Sequence, residues 1–180
     1  PFVSVNCAAL ADPLLDDALF GREPGTLFLD EVEALTDRGQ LTLLRGVQDP
    51  TLRAEGSSAE PRAGVRFVAA TNVDLWPRVQ AGTFRPDLYY RLCVFSISLP
   101  PLRERKDDIP LLTEHFLGVY RARNQKIIAS VSRGALELLV AYDWPGNVRE
   151  LENTIERAVV LTKGQTITEE DLPREVRGGA

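Results

Sequence analysis

Methionine is absent from the 180 residues, and histidine occurs once, at His115. There are two cysteines, Cys7 and Cys93, far apart and each in an apolar run. One histidine with no cysteine cluster excludes the usual zinc sites. Two such thiols read as buried and reduced, not as a disulfide framework. Lysine is scarce, limited to Lys106, Lys126 and Lys163. None follows a glycine, which excludes a glycine-lysine phosphate loop within these residues. No apolar run reaches the ~20 residues of a membrane helix, and nothing at the start reads as a signal peptide. An excess of positive charge is missing too. The net charge is −5 and the pI about 5.0, which argues against a chain whose main task is gripping nucleic-acid phosphates. With no initiating methionine and Pro1-Phe2 opening what reads as a strand, the expectation is a piece of a longer, cytoplasmic protein.

What is present is ordinary for a globular protein: 44% hydrophobic and 26% charged residues. The length suits one domain, or one with a small appendage. Strands and helices alternate at first. Phe2–Asn6 reads as a strand. A helix follows over Asp12–Phe20, capped by Asp12 with Pro13 in its first turn. Thr26–Leu29 is an apolar run ended by Asp30-Glu31. Asp37–Gln48 carries Leu41, Leu44 and Val47 at helical spacing. Gly56-Ser57-Ser58 marks a loop. Val65–Ala70 reads as a strand ended by Thr71-Asn72, Pro86–Leu92 as a short helix, and Cys93–Leu99 as a further strand closed by Pro100-Pro101. From Asp107 onward only helices are expected. Their apolar stripes are Ile109, Leu112, Phe116 and Val119, then Ala135, Leu138, Leu139 and Tyr142, then Val148, Leu151, Ile155 and Val159. Strands followed by helices predict an α/β domain over 1–101 and a small all-helical domain over 102–180.

Three apolar strands end in polar groups: Asn6, Asp30-Glu31 and Thr71-Asn72. If helices connect the strands, the sheet is mostly parallel and these ends share one edge. Ligands of open α/β sheets bind outside the carboxyl ends of the strands. Any one of these residues could simply cap the next loop, but three together favour a site. Adjacent strand residues face opposite ways, so Asp30 and Glu31 suit two tasks. One holds the water shell of Mg²⁺, and the other faces an attacking water. Phosphoryl transfer needs both.

Gly25-Thr26-Leu27-Phe28-Leu29-Asp30-Glu31 resembles the Walker B segment of AAA+ ATPases. Phe2 to Leu10, Val68-Ala69-Ala70-Thr71-Asn72, Phe84 to Leu92, Leu99 to Arg105 and Trp144 to Asn153 resemble one branch of them. That branch is the bacterial sigma-54-dependent activators of the nitrogen regulatory protein C family. The resemblance covers nearly the whole chain. It implies an AAA+ parallel sheet with flanking helices, its first strand missing, followed by a helical lid. It implies that Asp30 coordinates Mg²⁺ through water and that Glu31 polarises the attacking water. Asn6 becomes the partner that restrains Glu31, Thr71-Asn72 become sensor I, Arg85 and Arg91 become arginine fingers reaching a neighbouring subunit, and Arg149 becomes sensor II. The residues alone also allow plainer roles. Asp87 and Arg91 have the i,i+4 spacing of a surface ion pair, Arg85 could be plain surface, Asn147 with Glu150 reads as a capping box, and Arg103 and Arg105 suit interdomain salt bridges.

The resemblance also exposes two gaps. In the family the P-loop lies just before Phe2, so these residues alone are not expected to hold ATP. Gly21 to Gly25 also runs straight on where relatives carry an insertion with the GAFTGA loop that touches sigma-54. Consecutive Cα atoms near 3.8 Å there mean the insertion is truly absent. A much longer step, the expected outcome, means residues lie between. The implied function is the ATPase module of a sigma-54-dependent activator, a homo-oligomeric ring of six or seven subunits. It would use ATP and Mg²⁺ to remodel the sigma-54 RNA polymerase closed complex, and meet DNA only through a domain outside this chain. The alternative is a non-catalytic AAA+ oligomerisation module unable to bind ATP or contact sigma-54. Another AAA+ machine or a simple DNA-binding domain fits less well. The missing central strand predicts a wide gap, not direct pairing, between Val65–Ala70 and Cys93–Leu99.

Overall fold

The computed structural model describes residues 1–9, 15, 25–48 and 65–178. The expected helix over Asp12–Phe20 lies outside them except for Leu15, which is buried. So do the loop at Gly56 and the junction from Gly21 to Pro24. The chain divides into two compact units, Pro1–Ile97 and Ser98–Ala180.

The first unit is built on three parallel strands in the order β1 (Phe2–Asn6), β2 (Thr26–Asp30) and β3 (Arg66–Ala69). Phe2 pairs with Thr26, and Thr26 with Arg66. All three strands therefore point the same way, as their crossover connections require. Val5, Leu27 and Leu29 are buried, with Leu43, Leu44, Phe84 and Leu88 completing the core. The first ladder bond, from Thr26 N–H to the Pro1 carbonyl (2.9 Å), needs a bare α-carbon beside it. A Cβ on Gly25 would lie 2.4 Å from that backbone oxygen. Gly25→Ala should therefore push β1 off β2 and destabilise the unit by about 1–3 kcal/mol, measured as a lower denaturant midpoint. An unchanged midpoint would show that the strands adjust freely.

Helix α1 spans Asp37–Gln48. The Thr36 hydroxyl accepts from Gly39 N–H (3.0 Å) and so caps it. Its buried face differs from the expectation. Leu43 and Leu44 are buried while Leu41 is 37% exposed, because Gly39, Gln40 and Gly46 turn inward. Helix α2 (Trp76–Gln80) was not foreseen, and α3 covers Pro86–Leu92 as expected.

Cys93–Leu99 is not a strand. Val94, Phe95 and Leu99 are more than 80% exposed. A strand exists only within a ladder, and among the described residues nothing pairs with this run, β3 included. The run has the apolarity of a strand but no ladder partner among the described residues.

The second unit is mostly helical, as expected, but not purely so. Helices α4 (Asp108–Arg123), α5 (Arg133–Ala141) and α6 (Asn147–Leu161) enclose Ile109, Phe116, Leu139, Trp144, Leu151, Ile155 and Val159. Two short strands, β4 (Ser130–Val131) and β5 (Thr166–Ile167), pair in parallel. They are too short for alternation to register in the sequence. Val119 is half exposed; Thr113, Leu117 and Tyr120 complete the inner face of α4 in its place. Asn147 is not an N-cap. It opens α6 at φ 52, and its Oδ1 accepts from Leu102 N–H (2.8 Å). Gly146 takes the cap position, and the Glu150 carboxylate reaches back to its N–H (2.8 Å). No helix among the described residues is long and apolar enough to cross a membrane.

Candidate functional site

The polar strand ends do lie together. Asn6 is the register partner of Asp30, and Cys7 N–H donates to the Asp30 carbonyl (2.8 Å). On the other side, Val32 N–H donates to the Ala70 carbonyl (3.1 Å) just before Thr71. Parallel register thus brings Asn6, Asp30-Glu31 and Thr71-Asn72 to one edge.

Glu31 has left the strand. Its φ of 57° and ψ of 47° put it in the left-handed region, ahead of a short 3-10 turn over Val32–Ala34. Strand alternation is therefore not what separates the two acids; the backbone reversal is. A left-handed non-glycine residue costs on the order of 1–3 kcal/mol and is typical of functional sites. The Asp30 carboxylate accepts from Glu31 N–H (3.1 Å), which helps hold the reversal. Asn6 Oδ1 accepts from Ala8 N–H (2.8 Å) and Ala9 N–H (3.3 Å). It shapes its own turn, and no hydrogen bond joins it to Glu31 among the described residues. The Thr71 hydroxyl donates to the Val73 carbonyl (3.0 Å), and Asn72 N–H meets Glu33 Oε1 at 3.5 Å.

Neither Asp30 nor Glu31 is in an ion pair among the described residues, and no cluster of three metal-ligating side chains occurs among them. That donor set fits Mg²⁺, which is held by one or two carboxylates plus waters and substrate phosphates. It does not fit a metal held by protein alone. The buried Cys7 thiol reports the negative field. Burial, then the charges of Asp30, Glu33 and Glu31, push it up to about 11. It therefore stays a neutral thiol at physiological pH. Sequence reading missed this neighbour, since nothing in the spacing places residue 7 beside residue 30.

Arg85 and Arg91 form no hydrogen bond or ion pair with Asp30 or Glu31 among the described residues. Arg85 makes a two-pronged contact with Asp87, Nε to Oδ1 at 3.0 Å and Nη2 to Oδ2 at 2.7 Å. Both side chains remain over 40% exposed. The Asp87 carboxyl is held below the usual range by Arg85 in consequence. Asp87 also accepts from Leu88 N–H (2.8 Å) in the first turn of α3. The expected Asp87–Arg91 pair does not form, because Asp87 is already taken. Arg91 is exposed with no ion pair among the described residues, and Arg149 is exposed in the first turn of α6. Arg103 and Arg105 find partners inside the second unit, Glu104 at 3.6 Å and Asp108 at 3.8 Å.

Comparison with known proteins matches residues 22–98 to the sigma-54 interaction domain and residues 103–180 to the AAA+ ATPase lid domain. The chain belongs to the sigma-54 activator family of AAA+ proteins. Among the relatives of this sigma-54 activator module is the transcriptional regulatory protein ZraR of Salmonella typhimurium. It is 46% identical over 192 residues, covering 96% of the chain and 44% of the relative. The regulatory protein AtoC of Escherichia coli is 43% identical, covering 98% and 42%. Crystal structures of NtrX from Brucella abortus, solved with ADP and with ATP, superpose with a TM-score of 0.84 at 33% identity, covering 98% of the chain and 43% of that protein. The module thus spans less than half the length of these relatives. The ZraR alignment runs over more positions than the 180 of this chain, so the relative carries residues with no counterpart here. The likeness to NtrX establishes the AAA+ parallel sheet and helical lid for the module.

Proposed function

We propose that the full-length protein hydrolyses ATP in a homo-oligomeric ring and thereby remodels the sigma-54 RNA polymerase closed complex. The observation that carries this is the acid pair. Asp30 ends β2, Glu31 is turned out of the strand in a strained left-handed conformation, and Asn6 and Thr71-Asn72 flank them at the same edge. Bound Mg²⁺ would neutralise charge on the phosphoryl group that ATP supplies. Asp30 would hold the metal through its water shell, and Glu31 would orient and deprotonate the attacking water. Asn6 restrains Glu31 before assembly, in exchange for one of its present turn contacts. Thr71 and Asn72 face the terminal phosphate. Arg149 on the lid contributes a further cation. Arg85 and Arg91 act on the neighbouring subunit's nucleotide, which is why the ring is needed. The backbone cradle for the phosphates comes from outside these residues, whose lysines never follow glycine.

The test is direct. Purified full-length protein should hydrolyse ATP at a rate that rises with protein concentration as rings form. It should also drive open-complex formation at a sigma-54 promoter. A ring that assembles and turns over no ATP would establish the non-catalytic oligomerisation module instead.

A further inference from the structure

Among the described residues of the first unit, Gln40 is the most deeply buried polar residue, 1% exposed on the inner face of α1. Its amide is fully engaged. Nε2 donates to the Leu35 carbonyl (3.2 Å) and to the Thr83 carbonyl (3.1 Å), while Oε1 accepts from Arg85 N–H (2.8 Å). The partners fix the amide's orientation, because a flipped group would set its NH₂ against an N–H and its oxygen against two carbonyls. Leu35 closes the 3-10 turn that follows Glu31. Thr83 and Arg85 bracket the segment that launches α3, where Pro86 has no N–H of its own to offer. A second link runs alongside. Arg78 Nη1 donates to the Glu33 carbonyl (3.1 Å), and the Arg78 carbonyl accepts from Thr83 N–H and Phe84 N–H (2.9 and 3.1 Å). Phe84, itself buried, anchors the same segment in the core.

We propose that Gln40 is a positioning residue for Arg85: it ties the backbone nitrogen of Arg85 to the turn behind the acid pair, and so fixes where the guanidinium is presented. This rests on the reading of Arg85 as an arginine acting on a neighbour's nucleotide. A packing role alone would be met by an apolar side chain of the same length. Such a chain would leave Arg85 N–H and two carbonyls without partners in a buried place.

The experiment uses Gln40→Met, which keeps the length and removes every hydrogen bond, and Gln40→Glu, which keeps the acceptor for Arg85 N–H. In the full-length protein, amide exchange at Arg85 should speed up at least about tenfold in Gln40→Met and by clearly less in Gln40→Glu, whose second oxygen meets the Leu35 and Thr83 carbonyls. ATP turnover in Gln40→Met should fall ~10–10²-fold in kcat, with KM for ATP nearly unchanged. Mixed rings separate positioning from folding. Gln40→Met subunits retain a sound acid pair, and Glu31→Gln subunits retain a sound Arg85 segment, so the mixture should exceed the sum of the two variants alone. Unchanged Arg85 exchange, or a mixture that gives only the sum, would overturn the proposal. Full turnover by Arg85→Ala would sink the finger reading, while Arg85 exchange still reports whether Gln40 holds that nitrogen.

Discussion

Glu31→Gln in the full-length protein is expected to leave ATP bound and nearly unhydrolysed. The substitution preserves size and one carbonyl oxygen but removes the base. General base catalysis contributes about 10²–10⁴-fold, so single-turnover hydrolysis should slow by that factor while nucleotide affinity holds. The left-handed backbone at Glu31 sharpens the expectation. The reversal takes Glu31 out of the strand, while Val32 beside it is buried. Glutamine tolerates the same backbone, so a lost rate cannot be assigned to a collapsed turn. Single-turnover hydrolysis at the unmodified rate would remove Glu31 from the chemistry.

Arg85→Ala and Arg91→Ala should each lower turnover strongly. Arginines that reach a transferring phosphoryl group in trans contribute ~10³–10⁵ in rate. Because each acts on the neighbour's nucleotide, affinity measured on monomer should change little. The Asp87 contact adds a discriminating arm. Asp87 binds Arg85 with both oxygens and also the first turn of α3. Asp87→Asn should free the guanidinium without deleting it, and so should not reproduce the loss seen in Arg85→Ala. Turnover within about twofold of the unmodified protein for both arginine variants would return them to the surface, since ordinary exposed charges contribute little.

Much of this was legible because it is local. Phe2–Asn6, Asp37–Gln48 and Pro86–Leu92 declare themselves through period, cap and proline position, and the structure places each element there. The polar strand ends were legible too, since parallel pairing forces them to one edge. What failed depended on partners that helical spacing and composition do not reveal. Asn147 has the chemistry of a cap, yet Leu102 N–H, 45 residues away, claims its oxygen. Asp87 has the right spacing for Arg91, yet Arg85 lies outside the helix and can meet it with both nitrogens. Cys93–Leu99 has the composition of a strand, but composition cannot supply a neighbour. Gln40 carried no signal at all, because one glutamine on a helix looks the same whether it faces water or three backbone groups.

The unpaired run at 93–99 has a practical consequence for handling this segment on its own, apart from the rest of a longer protein. Val94 to Leu99 contains no charge, four large apolar side chains and no proline, the composition of segments that stack into cross-β assemblies. Beside it in the fold's inventory is β3, a strand with only one partnered edge among the described residues. Open edges and bare apolar runs invite strand-to-strand growth between molecules. Pro100-Pro101 stops the run at one end as natural gatekeepers do, while Cys93 at the other offers no such barrier. Concentrated samples of this segment of the protein will therefore turn cloudy through this stretch first, and a charge introduced at Ser96 is the mildest way to keep them clear.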